Sequence, residues 1–520
     1  MGKRLIRSIL VTLSATVFIL FVIAACAVKP LPMIEKELTY ALTPSGDTRI
    51  AKIATKEAPE DPNLTGVIEL VDPLDAFVAR SALIQLADES IDLQYYIWHP
   101  DTSGMMLLRE LYAAAERGVR VRLLLDDNNT RGMDDIISIL NDHPNIEIRL
   151  FNPFTNRKVR FLGYLIDFKR LNHRMHNKSF IVDGEAAIVG GRNIGDEYFA
   201  AGDGMVFSDL DVIAIGGIVK NLSQDFDGYW NSVLSYPADT IITKEYGNDY
   251  NAALEKLHKT TYRAEVETYQ SALKQSLLRK SLIDNNLEWK WSEAFLVSDP
   301  PSKALGVSSA DDFLKPLAKA IGSAHEEIIF VSPYFVPTGE GVGFLKEAVA
   351  NGLDISVLTN SFEATDVAVV HAGYANYRKE LIDSGVKLYE LKGKYVDDVP
   401  DVRDKGLVGS SASSLHAKTF VVDGERLFIG SLNLDPRSAK INTEMGMVIL
   451  NKALAAQIQN GIKGRLLESS YKVISEEGQL RWQVYEDGEL VKTYNVEPNT
   501  NAFQRGLMKV MMWLPIEWLL

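Results

Sequence analysis

The sequence predicts an α/β protein built as two similar lobes, each a mixed sheet flanked by helices. Three observations predict it. Strand-like and helix-like segments alternate, the alternation occurs twice in the same order, and each copy closes on a histidine/lysine segment of the same form. Alternation at this spacing implies βαβ units and a mixed or parallel sheet, and self-similarity along a chain marks an internal repeat. With 520 residues, 46% hydrophobic and 24% charged, the chain is long enough for two or three domains with real cores and is neither disordered nor fibrous.

The elements follow in order. Lys3, Arg4 and Arg7 precede the apolar run Ile9 to Ala25, which ends in Ile23-Ala24-Ala25-Cys26. A charged start, an apolar run and a small-residue cleavage pattern make residues 1–26 an export signal. It resembles a bacterial lipoprotein signal in which Cys26 becomes the lipid-bearing first residue; the alternative is an uncleaved anchor at the short end of what spans a bilayer. Either form tethers the body to a membrane of the bacterial cell envelope on the exported side, periplasmic as a lipoprotein or inner-membrane with the anchor kept. Cys26 is the single cysteine, which excludes disulfides within the chain and a cysteine metal site.

Residues 27–65 are polar and Pro-containing and read as a spacer. The first lobe is expected at 66–235. There a helix over Ala76 to Ser90 leads to the strand Ile91 to Ile97, then a helix over Met105 to Arg117 and the strand Val119 to Leu125. Residues 236–300 show no repeat partner and read as a helical connector. The second lobe, 301–470, repeats the order with a helix over Phe313 to Ala324, the strand Ile328 to Val331, a helix over Val342 to Ala350 and the strand Ile355 to Leu358. In 471–520, a hairpin about Asp487-Gly488 precedes an apolar tail carrying Trp513 and Trp518, which suits either an interfacial membrane segment or a packed terminal helix.

Chemistry concentrates in two segments. His176-Asn177-Lys178 with Asp183-Gly184, and His416-Ala417-Lys418 with Asp423-Gly424, each read as a strand, an Asp-Gly turn and a returning strand. On a strand, residues two apart share a face, so imidazole and ammonium project together. An ammonium beside a histidine repels a cation and offers it no lone pair, so no metal or other cofactor is expected. The same pair suits a phosphate: lysine neutralises its oxygens while histidine acts as nucleophile or acid/base. Asp183 and Asp423 follow their lysines at an odd offset, toward the other face, where they serve as turn-formers or take part directly. Gly190-Gly191-Arg192-Asn193 and Gly430-Ser431-Leu432-Asn433 come next, and Gly191, Ser431, Asn193 and Asn433 read as a phosphate cradle.

These paired motifs resemble the phospholipase D superfamily, and segments such as Leu93 to Trp98, Leu123 to Asn129 and Asp366 to Tyr374 resemble its bacterial cardiolipin synthases. The resemblance implies that the two lobes meet at one pseudo-symmetric active site, with catalytic roles for His176, Lys178, Asp183, His416, Lys418 and Asp423. It also implies that Asp209 and Glu444 orient the histidines, with Asp211 the rival of Asp209. His371 and Tyr374 are either cleft-lining or packed. The implied activity is transfer of a phosphatidyl group to phosphatidylglycerol through a phosphatidyl-histidine, with His176 the nucleophile, no cofactor, and phosphatidylethanolamine a possible donor. Hydrolysis to phosphatidic acid is the alternative, and a nuclease shares the site. The net charge of −14 opposes nucleic acid as a partner, since that affinity comes from neutralising phosphates with cations. The basic stretch Arg157 to Arg174, interleaved with Phe161, Tyr164 and Phe168, reads as a solvated loop or as a surface for anionic headgroups.

Overall fold

A computed structural model describes residues 29–200, 206–243, 255, 264–393, 413–515 and 517–520. The expected signal segment with Cys26 lies outside the described residues. Two large sheets, of nine and ten strands, carry the fold. Six neighbouring strands of the first are Asp211–Gly216, Ala186–Gly190, Ser179–Val182, Ser90–Tyr95, Arg120–Asp126 and Ile146–Phe151. Their counterparts in the second are Met445–Ile449, Arg426–Gly430, Thr419–Val422, Glu327–Val331, Asp354–Asn360 and Lys387–Leu391. Both sets show three antiparallel pairings followed by two parallel ones. The expected repeat and mixed sheets are therefore present.

Local chemistry explains the elements. The helix Pro73–Leu86 starts where the Asp72 carboxylate accepts from Leu74 N–H at 2.8 Å and Asp75 N–H at 3.1 Å, with proline at its first position. The strand Arg120–Asp126 is buried along nearly its whole length because both faces are covered. Between the lobes, Ile181, Val189 and Val212 of the first sheet share one apolar core with Val421, Ile429 and Met447 of the second. Burial of this kind fixes the two sheets against each other.

Three expected boundaries need correction. The spacer is partly folded: Ala41 N–H donates to Asp227 at 2.9 Å, and the helix Arg49–Thr55 buries Ile50, Ile53 and Ala54, an i, i+3, i+4 stripe. The connector is not only helical. Its helices Ala264–Gln275 and Leu277–Ile283 bring Tyr269 and Leu282 into the first core, but its strand Lys290–Ser292 pairs with Thr65–Leu70 at the edge of the first sheet. The next strand, Ala294–Ser298, pairs with Met445–Ile449 at the edge of the second. Finally, the hairpin of Gln479–Glu486 and Glu489–Tyr494 is no separate appendage, because Ser470–Glu476 stitches it onto Lys387–Leu391. Among the described residues, no helix is long and apolar enough to cross a membrane.

Candidate active site

The strands expected to carry the histidines begin one residue after each lysine, at Ser179 and Thr419. The preceding residues leave their own sheets to pair across the lobes. His176 N–H donates to Thr443 O at 2.9 Å, and His416 N–H donates to Ser208 O at 2.8 Å. Parallel pairing of Ser413–Leu415 with Val206–Ser208, and the bridge of Met175 with Thr443, extend this exchange.

One residue beyond each crossing stands a carboxylate. His176 Nδ1 lies 2.8 Å from Glu444 Oε2, and His416 Nδ1 lies 2.5 Å from Asp209 Oδ2. Each histidine is thus oriented by the opposite lobe, an arrangement that fixes the tautomer and leaves Nε2 as the reactive nitrogen. Asp211 takes no part: it pairs with Arg80 at 2.9 Å and accepts the Arg192 N–H at 3.1 Å. Lys178 Nζ donates to His176 O at 2.6 Å, while Lys418 Nζ stands 3.2 Å from His416 Nε2.

All of these groups are buried, and burial dominates their titration. It pulls His176 down to about 4, helped by Lys178 and opposed by Glu444. Burial and then Lys418 lower His416. Lys178 falls to about 7, through burial and the neighbouring Lys418 charge, and burial lowers Lys418 as well. Burial works to raise Asp209, but the contact with His416 overcomes it and holds the carboxyl at about 2. Glu444 is likewise kept low against its burial by His176. The site therefore holds neutral imidazoles, ionised carboxylates and reluctant lysine cations, a set that gains from an arriving anion.

Asp183 and Asp423 point away from this chemistry. Asp183 accepts from Asp88, Glu89 and Ser90 N–H at 3.1, 2.8 and 2.9 Å. Asp423 does the same for His325, Glu326 and Glu327 at 3.1, 2.9 and 3.1 Å. Both sit at positive φ before a glycine also at positive φ, the geometry of a tight hairpin turn. They are corrected from catalytic residues to clamps on the neighbouring strand. Asp183→Ala strands three amides and is expected to cost about 2–4 kcal/mol, read as a lower urea midpoint, with the folded fraction keeping activity to within about threefold. Lost activity at unchanged stability would contradict the clamp role.

The expected cradle also changes. Gly191 N–H is taken by Leu210 O at 3.2 Å, and a Cβ there would stand 2.2 Å from Asp209 Oδ1, so this glycine makes room for the carboxylate. Ser431 occupies the matching place, and its hydroxyl donates to Glu444 Oε2. Asn193 accepts from Ile97 N–H at 3.1 Å and donates to Tyr198 Oη at 3.0 Å. Asn433 differs, being buried with its Oδ1 unpartnered; only its Nδ2 could donate to a phosphate oxygen.

Several neighbours escape sequence reasoning. Tyr96 packs edge-on against His176 with ring centres 4.9 Å apart, and Tyr198 lies 5.2 Å from His416. Asp299 Oδ2 accepts from Glu444 N–H at 2.9 Å and from Lys303 Nζ at 2.7 Å, bracing that carboxylate from behind. Alternation along the strand was the available signal for Tyr96; nothing local marks Asp299. His371 is packed, 2.6 Å from Glu497, and Tyr374 donates to Glu390 at 3.0 Å. Arginines of the basic stretch are spent internally: Arg157 binds Asp134 at 2.6 Å, Arg174 binds Asp126 at 3.1 Å, and Arg170 binds Asn152 at 2.6 Å. Among the described residues, His99, Asp101 and Glu197 are grouped at metal-ligand spacing, but Asp101 already serves Gly104 and Asp196 N–H at 3.1 and 2.7 Å.

Comparison with known proteins agrees with this architecture. Cardiolipin synthase C of Escherichia coli is 44% identical over 91% of this chain and 100% of its own length. A cardiolipin synthase of Listeria monocytogenes is 26% identical over 77% of this chain and 68% of its own. The crystal structure of a phosphatidylserine synthase from Haemophilus influenzae superposes with a TM-score of 0.53 at 15% identity, covering 88% of this chain and 98% of that one, which is a likeness of fold. The family described as cardiolipin synthase, PLD-like domain, matches residues 81–230 and 317–465, one stretch in each lobe. With both halves matched and a relative so similar along its whole length, the chain belongs to the cardiolipin synthase family of phospholipase D-like proteins.

Proposed function

We infer that this chain is a phosphatidyltransferase of the cardiolipin synthase type, acting on phospholipids and using phosphatidylglycerol as acceptor. One observation carries the reading: two buried histidines, each held through Nδ1 by a carboxylate of the other lobe, stand beside two buried lysines. Such a site binds a phosphodiester and offers one nitrogen to attack and one to move a proton. In the first step His176 Nε2 attacks phosphorus, the bond to the departing alcohol breaks, and His416 gives that oxygen its proton. In the second the acceptor hydroxyl passes its proton to His416, its oxygen attacks phosphorus, and the bond to His176 breaks. Lys178 and Lys418 neutralise the equatorial oxygens, and the Asn433 amide Nδ2 is available to donate to one of them. The bound anion offsets the lysine charges and so favours the protonated His416 that the first step needs.

The test is product analysis. Purified protein given phosphatidylglycerol, with and without phosphatidylethanolamine, is expected to yield cardiolipin by mass spectrometry. Phosphatidic acid as the sole product would overturn the transfer reading. The acidity of the site adds a pH prediction. Attack needs neutral His176, whose pKa is depressed to about 4, so activity rises through that value. Phosphate binding needs charged Lys178, depressed to about 7, and the first step needs protonated His416, which burial lowers, so activity falls as pH rises toward and past neutrality. A bell in kcat/KM on the acid side of neutrality is expected, and a maximum above about pH 8 would contradict it.

A further inference from the structure

Three features of the chain bear on lipid contact, two of them exposed apolar segments of the described structure. The chain enters the described structure at Lys29, whose carbonyl accepts from the Thr155 hydroxyl at 2.7 Å; the apolar run expected to anchor it in a membrane ends three residues earlier, at Cys26. Directly after Thr155 come the helices Arg160–Ile166 and Phe168–Leu171, with Phe161 at 66% and Phe168 at 43% exposure. The helix Ala502–Met512 and the turn after it expose Trp513 at 90% and Trp518 at 60%.

Arg437 fastens the second feature to the third. Its guanidinium donates to Asn172 O at 2.7 Å and to Leu519 O at 3.2 Å, and it lies four residues after Asn433. On the other side, Tyr164 of the helix Arg160–Ile166 donates to Asn128 at 2.9 Å, and Asn129 donates to Tyr96 O at 3.1 Å. The Tyr96 ring then touches His176. Both apolar segments are therefore within a few side-chain contacts of the reacting groups.

Large aromatic side chains gathered in the open mark an interaction surface, and tryptophans with phenylalanines beside an anchor are the residues that settle at a bilayer interface. Arginines of the same strip are tied to Asp134, Asp126 and Asn152, so the exposed aromatic groups, flanked by the exposed Lys158 and Lys169, make most of the contact. We propose that Phe161, Phe168, Trp513 and Trp518 form a membrane-contact face that sinks into the interface of a phospholipid bilayer. Beside the anchor, this face brings the catalytic mouth to headgroup depth, where a phosphatidyl group reaches His176 without its chains leaving the lipid. The benefit to catalysis rests on the phosphatidyl-transfer reading; the contact itself does not.

The test uses the full chain reconstituted into phosphatidylcholine vesicles containing brominated lipid, with tryptophan fluorescence as readout. Quenching is expected, to be lost in a Trp513→Tyr, Trp518→Tyr double variant and to reappear when Phe161→Trp is added. It should persist in about 0.5 M salt, where exposed ionic attraction is screened. In parallel, Phe161→Glu with Trp518→Glu should lower the ratio of kcat/KM on vesicle phosphatidylglycerol to that on a short-chain monomeric form by about tenfold. Absence of lipid quenching, its loss in salt, or burial of these residues between two copies, seen as doubled mass in light scattering, would each overturn the proposal. If wild-type protein forms no phospholipid product at all, the functional reading fails while the quenching still decides the face.

Discussion

His176→Ala is expected to abolish cardiolipin formation, lowering turnover by roughly 10⁵-fold or more, as loss of a covalent nucleophile does. His416→Ala should cost about 10²–10⁴-fold, the usual worth of a positioned acid/base. The inequality matters more than either number. The two histidines have matching surroundings, each with a cross-lobe carboxylate at 2.8 or 2.5 Å and a lysine two residues on, so geometry alone treats them as equals. Digestion of rapidly quenched reactions should place the phosphatidyl mass on the peptide containing His176. Finding it on the peptide containing His416, with the larger loss in His416→Ala, would exchange the two roles and leave the rest of the mechanism standing.

The second large effect comes from the carboxylates. Glu444→Gln and Asp209→Asn should each lower kcat by about 10²–10⁴-fold while KM for lipid changes little, by analogy with orienting acids in other histidine-based sites. An amide offers Nδ1 a donor as readily as an acceptor, so the imidazole can settle with its proton on Nε2, where it can neither attack nor accept. It also removes the negative charge that steadies the imidazolium formed in passing. Glu444 is braced by Asp299 and by the Ser431 hydroxyl, so the substitution changes charge with little change of place. Thermal melts within a few degrees of wild type would confirm that. Activity of Glu444→Gln within about threefold of wild type would remove Glu444 from the mechanism.

Most of the fold was legible in the sequence because the repeat presents its helices and strands twice in the same order. Edges were harder. The strand Lys290–Ser292 is three residues long, too short for alternation to show, and the helix Arg49–Thr55 is held by a core its own sequence does not contain. At the site, the His/Lys pairs stand out because they recur at one spacing. Which carboxylate faces which histidine does not, since that depends on chain segments paired between lobes and separated by more than two hundred residues. Gly191 and Ser431 are a different case, since each serves the carboxylate of its own lobe. Their small side chains suit a phosphate cradle in sequence, but one leaves space for Asp209 and the other bonds Glu444. The arginines of 157–174 show the limit of counting charge along a chain, because their counter-ions Asp126 and Asp134 come from before the strip.

Only Glu293 separates the strand that completes the first sheet from the strand that completes the second. So short a tether keeps each lobe at a very high local concentration with respect to the other, and reassociation after any transient parting is intramolecular and fast. Since neither histidine has its carboxylate until the lobes are together, the tether sets how much of the time the enzyme is competent. Lengthening it by a flexible insertion at Glu293 would dilute one half of the site with respect to the other while touching no group that meets the substrate.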